Sequence, residues 1–195
     1  MFDDVLPVRE RSLARTDWVL GYPHRPEGWP GMRVMPGLEL AIVEGLVRKA
    51  TGCDRLWVET APDGAQLNHN CIQLVGVDEC GQRPHTDSRA LCRFAAVLYL
   101  NPGAPDECGT SFFRQRLPGG QRGGNVVMPP HRNLVEALGT RYVPEDSFVE
   151  DLSIPHRFNR LLVYQANLLH SATAYHGRTQ QEKRMAAVFF WMAKA

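Results

Sequence analysis

Arg83-Pro84-His85-Thr86-Asp87 places an imidazole and a carboxylate two positions apart. Along a strand the side-chain period is two, so both groups point to one face and can meet a single ion. A third ligand has to come from a distant part of the chain. His170, in Val163-Tyr164-Gln165-Ala166-Asn167-Leu168-Leu169-His170-Ser171, is the best candidate. Two imidazoles and one carboxylate on one side of a metal leave the opposite positions open, the facial arrangement that suits a reactive Fe(II). Alone, His-x-Asp is a weak signal. Asp87 reads equally well as a turn residue, and the chain has seven histidines. The surroundings decide the matter.

Working outward, the neighbouring stretches read as strands. Asn70 to Val77 alternates in part before the motif, and Asp78-Glu79-Cys80-Gly81 turns the chain into it. Arg93 to Leu100 is a near-continuous apolar run stopped by Asn101-Pro102-Gly103, a turn cluster. Arg55–Thr60, Gly109–Phe113, Arg160–Tyr164 and Met185–Trp191 read the same way. Gly37–Thr51 is the clearest helix, with Leu38, Ile42, Leu46 and Lys49/Ala50 at helical spacing, Val43 and Val47 widening the stripe, and Gly52 as its stop. Leu134–Leu138 suggests a short helix capped by Gly139. Residues 1–36, rich in Pro, Gly and aromatics such as Trp18, Tyr22 and Trp29, read as an irregular or short-strand arm packed on the body. A helix followed by seven or eight short strands predicts a mainly β fold with an α flank, an antiparallel sandwich or barrel. The mouth of such a fold brings distant strands together, so the stretches bearing His85 and His170 become neighbours.

Composition narrows the field. At 195 residues the expectation is one domain: an N-terminal arm and helix over 1–60, and a β core over 61–195. The net charge of +1 gives no global attraction to nucleic acid or anionic membrane. No stretch has the length of a membrane span, and the N-terminus lacks the pattern of a signal peptide. The five cysteines have no CxxC spacing and read as free thiols in a reducing cytoplasm. A small-molecule partner is expected, and oligomeric state is left open.

One family shares the order of these features. His85-x-Asp87 is followed by the apolar strand ending Tyr99-Leu100-Asn101, then Gly109-Thr110, then His170, then Arg184 opening the apolar strand Met185–Trp191. Over residues 66–192 this order resembles the Fe(II)/2-oxoglutarate-dependent dioxygenases, prolyl-hydroxylase-like branch. Within that branch, Ile154–Arg160, Asn167–Ser171 and the Arg184 strand resemble a small uncharacterised group. The resemblance implies a double-stranded β-helix (jelly-roll, cupin-like) core. It also implies Fe(II) held by His85, Asp87 and His170, with 2-oxoglutarate and O2 as cosubstrates. The expected reaction is oxidation, usually hydroxylation, of an unactivated C–H bond as 2-oxoglutarate becomes succinate.

In such enzymes a cation holds the distal carboxylate of 2-oxoglutarate, and a guanidinium does so bidentately. Arg184 is the choice because an apolar strand follows it directly; Arg178 is the alternative. Gln73 stands where a tyrosine near the cosubstrate would be sought. Tyr99 could face inward or outward. The cation follows His170 later than is usual in prolyl hydroxylases, which marks Tyr175–Glu182 as an inserted loop. The retained Asp87 argues against a halogenase. His24, His69, His131, His156 and His176 are read as non-ligands. Arg89 or Arg93 could read a substrate carboxylate or simply be surface charge, and the loop 114–133 could be a lid or a solvated loop. The chain lacks a separate substrate domain, which favours a small molecule such as an amino acid or natural-product intermediate. A prolyl or other protein side-chain hydroxylase is a second reading. A cupin-like metal- or ligand-binding module without redox activity is a rival from another class.

Overall fold

A computed structural model describes residues 5–21, 30–67 and 70–194. Tyr22, Pro23, His24, Pro26, Trp29 and His69 lie outside them. In chain order the elements are α1 (Leu6–Leu13), β1 (Val19–Leu20), β2 (Met32–Val34), α2 (Leu40–Thr51), β3 (Arg55–Trp57), β4 (Cys71–Val75) and β5 (Phe94–Tyr99). β6 (Thr110–Gln115), α3 (Leu134–Leu138), β7 (Phe148–Ile154), β8 (Leu161–Gln165), β9 (His170–Ala172) and β10 (Arg184–Lys194) follow. The fold is mainly β. One antiparallel sheet runs β1-β2-β4-β10-β5-β8, with β3 pairing the far end of β10; a smaller antiparallel sheet runs β7-β6-β9.

The long strand β10 is the axis of the large sheet, flanked by β4 and β5 along most of its length. Its alternation gives the sheet two unlike faces. One face carries Ile72, Leu74, Leu98, Met185, Ala187, Phe189 and Trp191, all nearly free of solvent contact, and packs against Val43 and Val47 of α2. Trp191 donates through Nε1 to Glu44 Oε1 at 3.1 Å, tying the helix to the sheet. The opposite face carries Gln73, Tyr99, Tyr164 and Arg184. It meets the small sheet through a Tyr99–Thr110 hydroxyl bond of 2.8 Å and an edge-on Phe112–Tyr164 contact of 5.4 Å. The chemistry-bearing residues therefore lie between the sheets, away from the apolar core.

Several sequence expectations need correction. The helix begins at Leu40, not Gly37, and its buried residues are Val43 and Val47; Ile42 is 57% exposed. Adjacent apolar pairs at 42/43 and 46/47 allow either face to turn inward, and spacing alone does not choose between them. The arm contains helix α1, begun by Pro7 in its first turn, a position where proline costs no hydrogen bond. Its weak periodicity hid it; Trp18 packs on the main core. β7 was not expected as a strand because most of its side chains face solvent, Glu150 and Asp151 among them. β9 is too short to read from sequence. The five cysteines are free. No helix among the described residues is long and apolar enough to cross a membrane.

Leu98 is completely buried at the centre of the main core. Leu98→Ala should cost about 2–5 kcal/mol in urea denaturation, the range for a large core truncation. Ile42→Ala should change stability by no more than about 0.5 kcal/mol, as exposed positions do. Equal losses at the two sites would contradict this assignment of the helix face.

Candidate metal centre

The three residues singled out from sequence converge. His85 forms a reciprocal antiparallel bridge with His170, each N–H donating to the other's carbonyl at 2.9 Å. The Asp87 N–H donates to the Ala166 carbonyl at 2.9 Å. The expected strand around His85 is reduced to this single bridge in an extended segment. Its effect is the same, because the pairing holds His85 and Asp87 against the turn that leads into β9. Thr86, between them, is buried and accepts the Leu134 N–H at 2.9 Å, so it helps satisfy the N-terminus of α3.

Each candidate ligand atom is left free to meet a cation. His85 Nδ1 lies 2.9 Å from the Arg83 carbonyl, and His170 Nδ1 lies 2.8 Å from the Leu168 carbonyl. A carbonyl only accepts, so both Nδ1 atoms carry the proton and each Nε2 presents a lone pair. Such backbone anchoring fixes tautomer and ring direction as it does for metal-bound imidazoles. The His170 Nε2 is 3.7 Å from Asp87 Oδ2, and that oxygen is buried without a hydrogen-bond partner among the described residues. One ligand atom from each residue lies within 4.8 Å of the others. A buried carboxylate oxygen facing two imidazole lone pairs is expensive unless something positive sits among them.

The ionisation preferences agree. Burial pushes the Asp87 carboxyl up to about 6, partly opposed by His85. Burial holds His170 down to about 4. His85, which keeps an edge open to solvent, is also held at about 4, by desolvation and then by His170. Both rings are therefore neutral at pH 7, the form that binds metal. The donor set of two nitrogens and one oxygen fits Fe(II) and leaves open positions.

Beyond the triad, Tyr164 lies 4.6 Å from the His170 ring and Phe112 lies 6.4 Å from it, closing that side with aromatic surface. Arg184 is 3% exposed on the inner face of β10. Its Nε donates to the Cys108 carbonyl at 2.9 Å and Nη2 to the Gly109 carbonyl at 3.4 Å. Its guanidinium lies 5.5 Å from the centre of the Tyr99 ring and 5.8 Å from that of Tyr175. Among the described residues no carboxylate pairs with it.

Arg178 sits elsewhere, 74% exposed and clamped to Asp78 at 2.7 Å. Tyr99 faces inward and is fully buried. Gln73 is half-buried on the same inner face, opposite Arg33 on one side and Ala186 on the other. Arg89 is engaged with the 125–134 segment, through its N–H to the Arg132 carbonyl and Nη1 to the His131 carbonyl. Arg93 is exposed. Within the loop 114–133, Arg114 and Arg122 share Asp151 at 2.8 and 3.1 Å. A groove of about 530 Å³ lies along this loop and α3, lined by residues such as Met128, Leu138 and Tyr142, and contains none of the three candidate ligands. Sequence reasoning passed over Phe112 and Tyr175 as site residues, and treated Tyr164 only as part of a strand. Aromatic residues in apolar strands carry no signal that separates a cavity wall from a core.

Residues 73–186 match DUF6445, a family of unknown function. The matched span covers more than half of the chain and includes His85, Asp87, His170 and Arg184, so the protein belongs to this family. No curated protein and no solved structure matches the chain.

For a cation held by this cluster, the raised Asp87 carboxyl would make binding pH-dependent, with a definite sign. A carboxyl whose folded value lies above its unfolded one stabilises the protein when protonated, and loses that contribution as pH rises toward 6. A divalent cation replaces the proton, so its benefit grows with pH. In thermal melts, stabilisation by added Fe(II) under argon should be large at about pH 7.5 and shrink steadily below about pH 6. A shift of constant size from about pH 5 to 8 would contradict the assignment of Asp87.

Proposed function

We propose that this member of DUF6445 is a non-haem Fe(II)/2-oxoglutarate-dependent oxygenase of the prolyl-hydroxylase-like branch, with a double-stranded β-helix core and a small-molecule substrate. The observation that carries the reading is the convergence of two Nε2 lone pairs and one buried carboxylate oxygen, together with a buried guanidinium on the facing sheet that no carboxylate among the described residues pairs with. A structural metal site alone has no use for that guanidinium. An oxygenase that takes a dicarboxylate cosubstrate does.

In this reading His85 and His170 hold Fe(II) through Nε2, and Asp87 supplies the anionic ligand. When bound, the iron and its keto-acid cosubstrate supply the O2-dependent C–H oxidation, with succinate as the coproduct. The chain's own residues bind, orient and shield. Arg184, fixed by the carbonyls of Cys108 and Gly109, faces the distal carboxylate without having to reorganise. Tyr99 and Thr110, already bonded to each other, place a hydroxyl pair beside it. Phe112 and Tyr164 keep water from the side of His170.

The test is anaerobic. Fe(II) and then 2-oxoglutarate are added to the purified protein, and the visible charge-transfer band of an iron-chelated keto acid is followed. The band should require both components and be absent in His170→Ala. Arg184→Lys should keep iron and weaken 2-oxoglutarate roughly 10–100-fold, since a charge-assisted bond contributes about 1.5–3 kcal/mol and a point charge does not replace a planar fork. A folded, iron-loaded protein with no band at any 2-oxoglutarate concentration would overturn the reading.

A further inference from the structure

His156 is 2% exposed and lies just beyond β7, within electrostatic reach of the buried guanidinium of Arg184. Its backbone N–H donates to the Asp106 carbonyl at 2.8 Å, and Nε2 lies 2.9 Å from the Asn101 carbonyl. The carbonyl fixes the tautomer: Nε2 carries the proton and Nδ1 has only a lone pair. Nδ1 is buried and has no hydrogen-bond partner among the described residues. The imidazole and the Arg184 guanidinium share one neighbour, the Tyr99 ring, at 4.8 Å and 5.5 Å from its centre. A second buried nitrogen without a partner, Nε2 of His176, lies in the same neighbourhood, and the His176 carbonyl accepts the Arg184 backbone N–H at 3.3 Å.

A buried cation and an unpartnered buried lone pair against the same ring leave both groups short of an ionic or hydrogen-bonded partner. A carboxylate bound to Arg184 within reach of His156 would be repelled by a bare lone pair on Nδ1. The same carboxylate would accept a hydrogen bond if Nδ1 carried a proton. Resting on the cosubstrate reading above, we infer that His156 is a positioning residue for the distal carboxylate of 2-oxoglutarate, taking up one proton at Nδ1 as the ligand binds. The dicarboxylate is then read by a guanidinium and an imidazolium together, and a monocarboxylate keto acid is not.

The charged and titratable groups around His156 fit this behaviour. Burial, then Arg184, and more weakly Arg160, hold its proton affinity below the ordinary imidazole value, while the Asn101 carbonyl and Asp106 act the other way. His176 adds a further repulsion between the two rings. A bound carboxylate cancels the Arg184 charge and adds an acceptor, which reverses the balance. The ligand and the proton then help each other bind.

Calorimetry on the iron-loaded, anaerobic full-length protein tests this, using 2-oxoglutarate in two buffers of different ionisation enthalpy at about pH 7. Wild type should take up close to one proton per 2-oxoglutarate, and its affinity should fall up to about tenfold per unit rise in pH above that point. His156→Gln should retain binding but lose both the proton uptake and the pH dependence. Pyruvate, which lacks the distal carboxylate, should take up no proton in either protein. Should His156→Gln fail to fold, nitrogen-15 NMR of labelled histidine in Zn(II)-loaded wild type reads the same event, as Nδ1 of His156 passing to the protonated form with 2-oxoglutarate but not with pyruvate. Binding of 2-oxoglutarate with identical proton uptake in the variant, or an unchanged Nδ1 signal, would overturn the inference and leave the oxygenase reading intact. No binding of either keto acid would overturn both.

Discussion

The reciprocal backbone bridge between His85 and His170 is the constraint on which the site depends. Two hydrogen bonds of 2.9 Å join a segment without regular structure to the first residue of a three-residue strand. Neither partner has much structure of its own. Joined, they set the two rings 4.4 Å apart, while the carbonyls of Arg83 and Leu168 turn both Nε2 atoms free. Asp87 is fixed by the neighbouring bond to Ala166. Three side chains are thus aimed by main-chain bonds, which leave their ligand atoms uncommitted. The cost is an unpartnered carboxylate oxygen in a buried place, a penalty that a bound cation removes.

The large sheet makes this cost tolerable by dividing its work between two faces. The face under α2 is apolar from Ile72 to Trp191 and carries the stability. The other holds Arg184, Gln73, Tyr99 and Tyr164, polar groups that contribute little to folding unless they are satisfied. A single strand, β10, serves both: Arg184 and Ala186 face inward, while Met185, Ala187, Phe189 and Trp191 fill the core. A one-residue slip in its pairing would exchange the two sets. Asn101 guards that register, accepting the Met185 N–H through Oδ1 at 2.5 Å and donating to the Lys183 carbonyl at 3.0 Å. The same residue's carbonyl anchors His156. Register, guanidinium and imidazole are therefore linked through one side chain and its backbone.

The sequence disclosed these features unevenly, for physical reasons. His85 and Asp87 were legible because alternation is a local rule. Arg184 was legible because an apolar strand follows it, and a charged residue at the head of such a strand has to be placed inward or at an edge. His170 has no local rule behind it; among seven histidines, the pattern of surrounding strands and the resemblance favour it. The inward face of Tyr99 needed the register of β5 against β10, which no single strand reveals. Helix α2 was found but its buried face was misjudged, since paired apolar residues satisfy two orientations. β7 escaped because an exposed strand carries the composition of a loop. His156 was set aside for the same kind of reason: its lone, unpartnered nitrogen exists only once the chain has closed around Asn101 and Tyr99.

The central claim is that His85, Asp87 and His170 together hold one catalytic metal. Anaerobic Fe(II) titration followed by calorimetry measures it directly, on wild type and on Asp87→Ala with folding checked by circular dichroism. The account predicts one tightly bound ion per chain in wild type, and loss of that ion in the folded variant. Equal stoichiometry and affinity in both proteins would place the metal elsewhere and contradict the account.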